Sequence, residues 1–321
     1  PEMSRGLGDV YKRQPPEPRM KYRVLEVLFG LVFLVGLYLF AHDTVADQLN
    51  NLRQDRTLSD YQEAVSEASP ETYEAEMQAA LAHNAAITEN TFAGDLFAGE
   101  GVQADDEYNA LLNLNGDGVM GMISIPKINQ TIPIYHGTDD SVLQVGAGHL
   151  PGTALPVGGE NTHCVLAAHR GLPSARLFSD IDQLEEGDMI YLHILGEVHA
   201  YRVENILPMV PKDDFETLNK ALRILHGQDW LSLMTCTPYG INTHRLIVQA
   251  KRVAYNGEDD APTQPVQAVI HYTARSFRRA YTLYIGAAVI ILLVVVLILR
   301  RRKKRHSPKA CLLYTSDAAD E

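Results

Sequence analysis

The chain has 321 residues, 28 Lys and Arg against 40 Asp and Glu, and a formal net charge of −12. That acidic balance argues against a nucleic-acid binder, whose footprint is a basic face. Three cysteines, Cys164, Cys236 and Cys311, are too few for a disulfide framework.

Both ends are set aside from the fold. Residues 1–14 and 311–321 read as translated library adapter, because one codon choice for Asp9–Gln14, reverse-complemented, encodes Cys311–Ser316. Met20 is then a candidate start, and only Cys164 and Cys236 remain.

Residues 20–42 carry a basic flank (Arg19, Lys21, Arg23) and an apolar run over 24–41 interrupted by Glu26. This predicts a membrane anchor or a signal segment, and the lack of a small-residue cleavage site favours the anchor. Residues 43–90 hold no Gly and are rich in Ala, Glu, Gln and Leu, which predicts two helices. Ser69-Pro70-Glu71 is the capping signal between them. Residues 91–116 are rich in Gly and Asp early on and read as a loop and linker.

From 117 to 254 the pattern changes to short β-like runs: 119–125, 131–135, 162–168, 189–194, 198–203, 230–235 and 245–253. Clusters of Gly, Pro, Asn and Asp bound them, which predicts one closed or nearly closed β-barrel domain. A linker over 255–280 follows. Residues 281–299 are then nineteen positions without a charge, and Arg300 to Arg305 are all basic. This predicts a C-terminal transmembrane helix with a basic cytoplasmic tail over 300–310, and the competing reading is a buried core helix. With both basic flanks inside, both termini are cytoplasmic and the domain between them is extracytoplasmic at the cell membrane.

The chemistry concentrates in Leu233-Met234-Thr235-Cys236-Thr237-Pro238-Tyr239-Gly240-Ile241-Asn242-Thr243-His244-Arg245. Two apolar runs flank a turn, so Cys236 ends one strand and Arg245 opens the next. A nearby cation favours the thiolate, which is the nucleophile, and a guanidinium can donate to a developing oxyanion. The missing proton carrier is His169, at the end of the 162–168 run in His169-Arg170-Gly171-Leu172-Pro173. The plainer alternatives are a buried filler cysteine, a solvated Arg and a structural His. Cys164 lies an odd five positions from His169, so strand alternation puts it on the opposite face, as a filler. His163, Cys164, His169, Cys236 and His244 lack the paired spacing of a zinc site.

These strings resemble the catalytic signature of the sortases, most closely the pilin-polymerising class C branch, with Ser232 where a Thr is usual. The resemblance covers about 43–305. It implies an eight-stranded sortase-type β-barrel preceded by helices, with Cys236, His169 and Arg245 as the catalytic set and no cofactor or metal. It also implies a lid in the 91–106 loop, with Asp95 and Phe97 as lid residues and Leu96 replacing the family's Pro. The implied reaction opens a Leu-Pro-x-Thr-Gly-like signal between Thr and Gly through a Cys thioester. The acyl group then passes to a pilin lysine amine, so the partners are pilin subunits. The alternatives are a cell-wall-anchoring sortase, a thiol peptidase and a non-enzymatic membrane-held binding module. Leu150-Pro151-Gly152-Thr153-Ala154 looks like a sorting signal, but a folded domain follows it, so it reads as an internal loop.

Overall fold

A computed structural model describes residues 19–90, 97 and 104–257. Eight strands close into a barrel: β1 (Val119–Ile125), β2 (Gln130–His136), β3 (Ala147–His149), β4 (Thr162–Ala167), β5 (Met189–Ile194), β6 (Glu197–Pro211), β7 (Asp229–Thr237) and β8 (His244–Arg252). The order around the barrel is β1-β2-β3-β4-β7-β8-β6-β5. The pairs β2/β3 and β4/β7 are parallel, and the other pairs are antiparallel.

Seven of these strands match runs read from the sequence. The eighth, β3, is three residues long and Gly-containing, too short to leave an alternating pattern. Strand β6 extends well past the expected 203, through Asn205 and Pro208. It tolerates them because the register shifts at Val203/Asn205 and again at Leu207/Val210, and a bulge excuses a proline from the ladder.

Three segments lie outside or across the barrel. α1 (Arg19–Glu67) is one unbroken helix that runs through the expected boundary between anchor and catalytic part at 42/43. No Gly or Pro lies there to break it. α2 (Pro70–Ala86) begins as expected, with Ser69 as N-cap accepting from the Thr72 N–H and Pro70 in its first turn. The stretch 91–116 is not all loop, because α3 (Asp106–Ala110) forms within it, capped by the Asp105 carboxylate on the Tyr108 N–H at 2.8 Å.

The leading helices are bolted to the barrel by buried hydrogen bonds. From α1, Gln54 Nε2 donates to the Val145 carbonyl at 2.8 Å. Tyr61 Oη donates to the Met120 carbonyl (3.0 Å) and accepts from the Leu195 N–H (2.9 Å). From α2, the Asn84 amide pairs with both backbone groups of Leu155.

The apolar side chains sort into two clusters. Leu231, Leu233, Cys164, Leu166, Leu246 and Val248 join the barrel interior. Their alternates Met234, Val165 and Ile247 face outward and pack beneath α5 (Phe215–Ala221), with Leu218 and Leu222. The outer cluster floors the candidate site.

Among the described residues, no helix is long and apolar enough to cross a membrane. The N-terminal run nevertheless leaves Val27, Leu28, Phe29, Leu31 and Phe33 broadly exposed on α1. The expected span over 281–299, the tail over 300–310, both expected adapter ends (1–14, 311–321) and the expected lid residue Asp95 lie outside the described residues.

Candidate active site

The site is a row of three side chains across adjacent strands. Cys236 on β7 pairs directly with Arg245 on β8. On the other side of β7, the parallel register with β4 sets Ala167 opposite Met234. That register carries on past the end of β4. The Ala168 N–H donates to the Met234 carbonyl at 3.2 Å, and Thr235 Oγ1 donates to the Ala168 carbonyl at 2.7 Å. Arg170 Nη1 donates to Thr237 Oγ1 at 3.2 Å. His169 is therefore the register neighbour of Cys236, as Arg245 is on the opposite side. Neighbouring strands lie about 5 Å apart, and side chains in register share a face. All three side chains thus leave the outer face of the sheet at its end, in the same alternation as Met234, Val165 and Ile247.

Cys236 is 5% exposed and Arg245 is 3% exposed, so the thiol and guanidinium sit in a largely dry floor. Arg245 Nη1 donates to the carbonyls of Asn242 and His244 at 3.2 and 3.0 Å, which curls its side chain back under the turn. His169 sits higher and partly exposed, with Nε2 3.5 Å from Asp140 Oδ1. Its loop is held down by Arg170, which also ion-pairs with Asp182 and donates to the Ser179 carbonyl.

Phe97 closes the row from above. The Arg245 guanidinium carbon lies 4.8 Å from its ring centroid, and its ring is 5.9 Å from that of His169. Its edge also packs on the outer apolar cluster. The ring thus meets both residues that flank Cys236 in the row.

The other candidates separate cleanly from this row. Cys164 is in the barrel interior, where burial, with the charge of Asp229 second, pushes its thiol well above the usual range. His163 is buried on the outer face, with Nδ1 2.9 Å from the Arg223 carbonyl and Nε2 2.8 Å from Ser232 Oγ. The hydroxyl of Ser232 thus serves a structural imidazole two rows from Cys236. Leu150, Thr153 and Ala154 are each 1% exposed, and Thr153 Oγ1 donates to the Leu150 carbonyl, so the signal-like segment is a packed loop of this domain. Among the described residues, no group of three or more His, Cys, Asp or Glu is placed to hold a metal ion.

Sequence reasoning missed Asp140, Arg170 and Thr235, which support His169. Only Arg170, adjacent to His169, carried a local signal. A cavity of about 370 Å³ against α5 is lined by His163, Lys220 and Trp230, among others, and not by Cys236. Its lining also lacks His169 and Arg245, and we assign it no part in the chemistry.

A sortase-domain family profile matches residues 123–253. The chain is 33% identical over 136 residues to sortase D of Bacillus subtilis (strain 168), covering 41% of this chain and 63% of that protein, so it spans just under two thirds of that curated relative. Among solved structures, sortase C of Streptococcus pneumoniae is 42% identical with a TM-score of 0.56, covering 62% of this chain and 97% of that one. Sortase C2 of group B Streptococcus pilus island 1 is 40% identical with a TM-score of 0.52, covering 58% of this chain and all of that one.

Proposed function

The chain belongs to the sortase family, and we propose that it works as a class C transpeptidase that joins pilin subunits. The observation that carries this reading is the row His169–Cys236–Arg245 under Phe97. The likeness to sortase C of S. pneumoniae, described for its pilin substrate specificity, supports the choice of substrate.

In this reading the Cys236 thiolate attacks the Thr carbonyl carbon of a Leu-Pro-x-Thr-Gly-like signal. The carbonyl oxygen takes up the negative charge, and the Arg245 guanidinium stabilises it. The C–N bond to Gly breaks as His169 gives a proton to the departing amine, leaving a thioester. A lysine amine of another subunit then attacks, His169 accepts its proton, and the thiolate leaves. The product is an amide, so no bond energy beyond that of the opened peptide is required.

The apolar side chains exposed on α1 between Val27 and Leu39 support a membrane-held enzyme. In this reading the basic flank before the apolar run lies on the cytoplasmic side and the catalytic domain lies outside the cell membrane. Holding enzyme and signal-bearing pilins on one surface raises their effective concentration.

The test uses the full chain in detergent micelles with a Leu-Pro-x-Thr-Gly peptide and excess lysine-bearing peptide. Mass spectrometry is expected to show an acyl adduct on Cys236 and an isopeptide product. Cys236→Ala is expected to abolish both and Cys164→Ala to retain both. An adduct resolved only by water would overturn transpeptidation, and no adduct with the lid residue Phe97 removed would overturn the enzymatic reading.

A further inference from the structure

We propose that Asp140 is a positioning residue for His169, fixing which ring nitrogen faces the reacting atoms. The inference rests on the catalytic assignment of His169 above. Asp140 opens the short helix α4 (Asp140–Leu143), reached from the end of β2 through Gly137 to Asp139. Its two carboxylate oxygens have separate tasks. Oδ2 accepts from the Gln144 side-chain amide at 2.6 Å, one helical turn on. Oδ1 lies 3.5 Å from His169 Nε2. Gln144 thus holds the carboxylate, and the carboxylate faces one edge of the imidazole.

The consequence follows from the two nitrogens of the ring. A carboxylate accepts and cannot donate, so the nitrogen facing it carries a proton. Nε2–H is thereby committed to Asp140. Nδ1, with no hydrogen-bond partner among the described residues, is left to pass the proton to the departing amine and to take it from the incoming one. Asp140 orients the ring and is not itself the proton carrier. The negative charge also favours the imidazolium that must form when the incoming amine is deprotonated.

The remaining charged groups around His169 do not offer the same service. Arg170 turns away to Asp182 and Thr237, Arg245 is curled under the turn, and Cys236 lies in the row beside it. Asp139, the residue before α4, makes no side-chain cap to the helix and none of the hydrogen bonds found for His169. The Asp140 side chain is 77% exposed, so water and salt weaken the contact, and the expected effect is moderate.

The experiment compares full-length wild type, Asp140→Asn, Asp140→Glu and Gln144→Ala in amide transfer across a range of salt concentrations. Asp140→Asn is expected to lower kcat about three- to tenfold with KM for the signal peptide unchanged. Asp140→Glu is expected to restore part of the rate, and Gln144→Ala to lose less than Asp140→Asn. Salt is expected to lower the wild-type rate and leave Asp140→Asn unchanged. An Asp140→Asn enzyme with the wild-type rate, or with a lower rate that salt still lowers and that Asp140→Glu does not partly restore, would overturn the proposal. A wild type that forms no acyl-enzyme would instead overturn the catalytic reading on which it rests.

Discussion

Removing the Phe97 ring tests whether it gates the thiol. Cys236 is 5% exposed, and the ring sits over the Arg245 guanidinium at 4.8 Å and beside His169 at 5.9 Å. If the ring is a lid, a reagent reaches the sulfur only when it swings away. Two contacts oppose that motion. A partly desolvated cation–π pair contributes about 1 kcal/mol. Half-burial of a phenyl ring against the outer cluster contributes about 1 kcal/mol more. Losing about 2 kcal/mol of closure raises the open population roughly thirtyfold, since about 1.4 kcal/mol is a factor of ten. Phe97→Ala is therefore expected to speed alkylation of Cys236 by iodoacetamide roughly thirtyfold. Peptide mass spectrometry follows the adduct over time. Cys164, at 1% exposure in the barrel interior, serves as the internal control for unfolding. A Phe97→Ala rate within twofold of wild type, with Cys164 still unmodified, would refute the gating argument.

Three further outcomes are expected. Ser232→Ala leaves the buried His163 Nε2 without its donor, so it is expected to lower stability by about 1–2 kcal/mol and the melting temperature by a few degrees. The rate at 25 °C is expected to stay within twofold, as thermal melts and amide-transfer assays would show. Burial holds the pKa of His149 down at about 3 and of His163 at about 4, so both stay neutral in the fold while the unfolded chain protonates near 6.5. Their stabilisation is complete above 6.5 and falls as pH drops toward the folded values, by about 2 kcal/mol each at pH 5. Urea midpoints at pH 7.5 and pH 5 are expected to show that loss, and a flat comparison would contradict it. Tyr61→Phe strands the Leu195 N–H that Tyr61 Oη accepts, and frees the Met120 carbonyl. It is expected to cost about 1–3 kcal/mol in chemical unfolding, with the loss read at the α1–barrel contact by hydrogen exchange.

Much of the architecture was legible because strands announce themselves through alternation and turn residues. The runs at 119–125 and 189–194 match β1 and β5 residue for residue. The Cys236/Arg245 pair was legible for a related reason. The two residues flank one short turn, and a hairpin brings residues on either side of its turn into register. The cap at Ser69-Pro70 was equally local. Less local features did not announce themselves. β3 is only three residues, and β6 hides behind Asn205 and Pro208, whose bulges no propensity reveals.

The sequence by itself determined which groups are available: one cysteine beside a turn, one arginine across it and one histidine at a strand's end. It also determined the alternation that sends Cys164 inward. Only the tertiary structure decided that β4 lies parallel to β7, which sets His169 beside a thiol sixty-seven positions away. It likewise decided that Phe97 lands on Arg245 and that Asp140 faces His169. A hairpin's register is fixed by its own turn, whereas a parallel pairing is fixed by the closure of the whole barrel, which no short stretch of chain encodes.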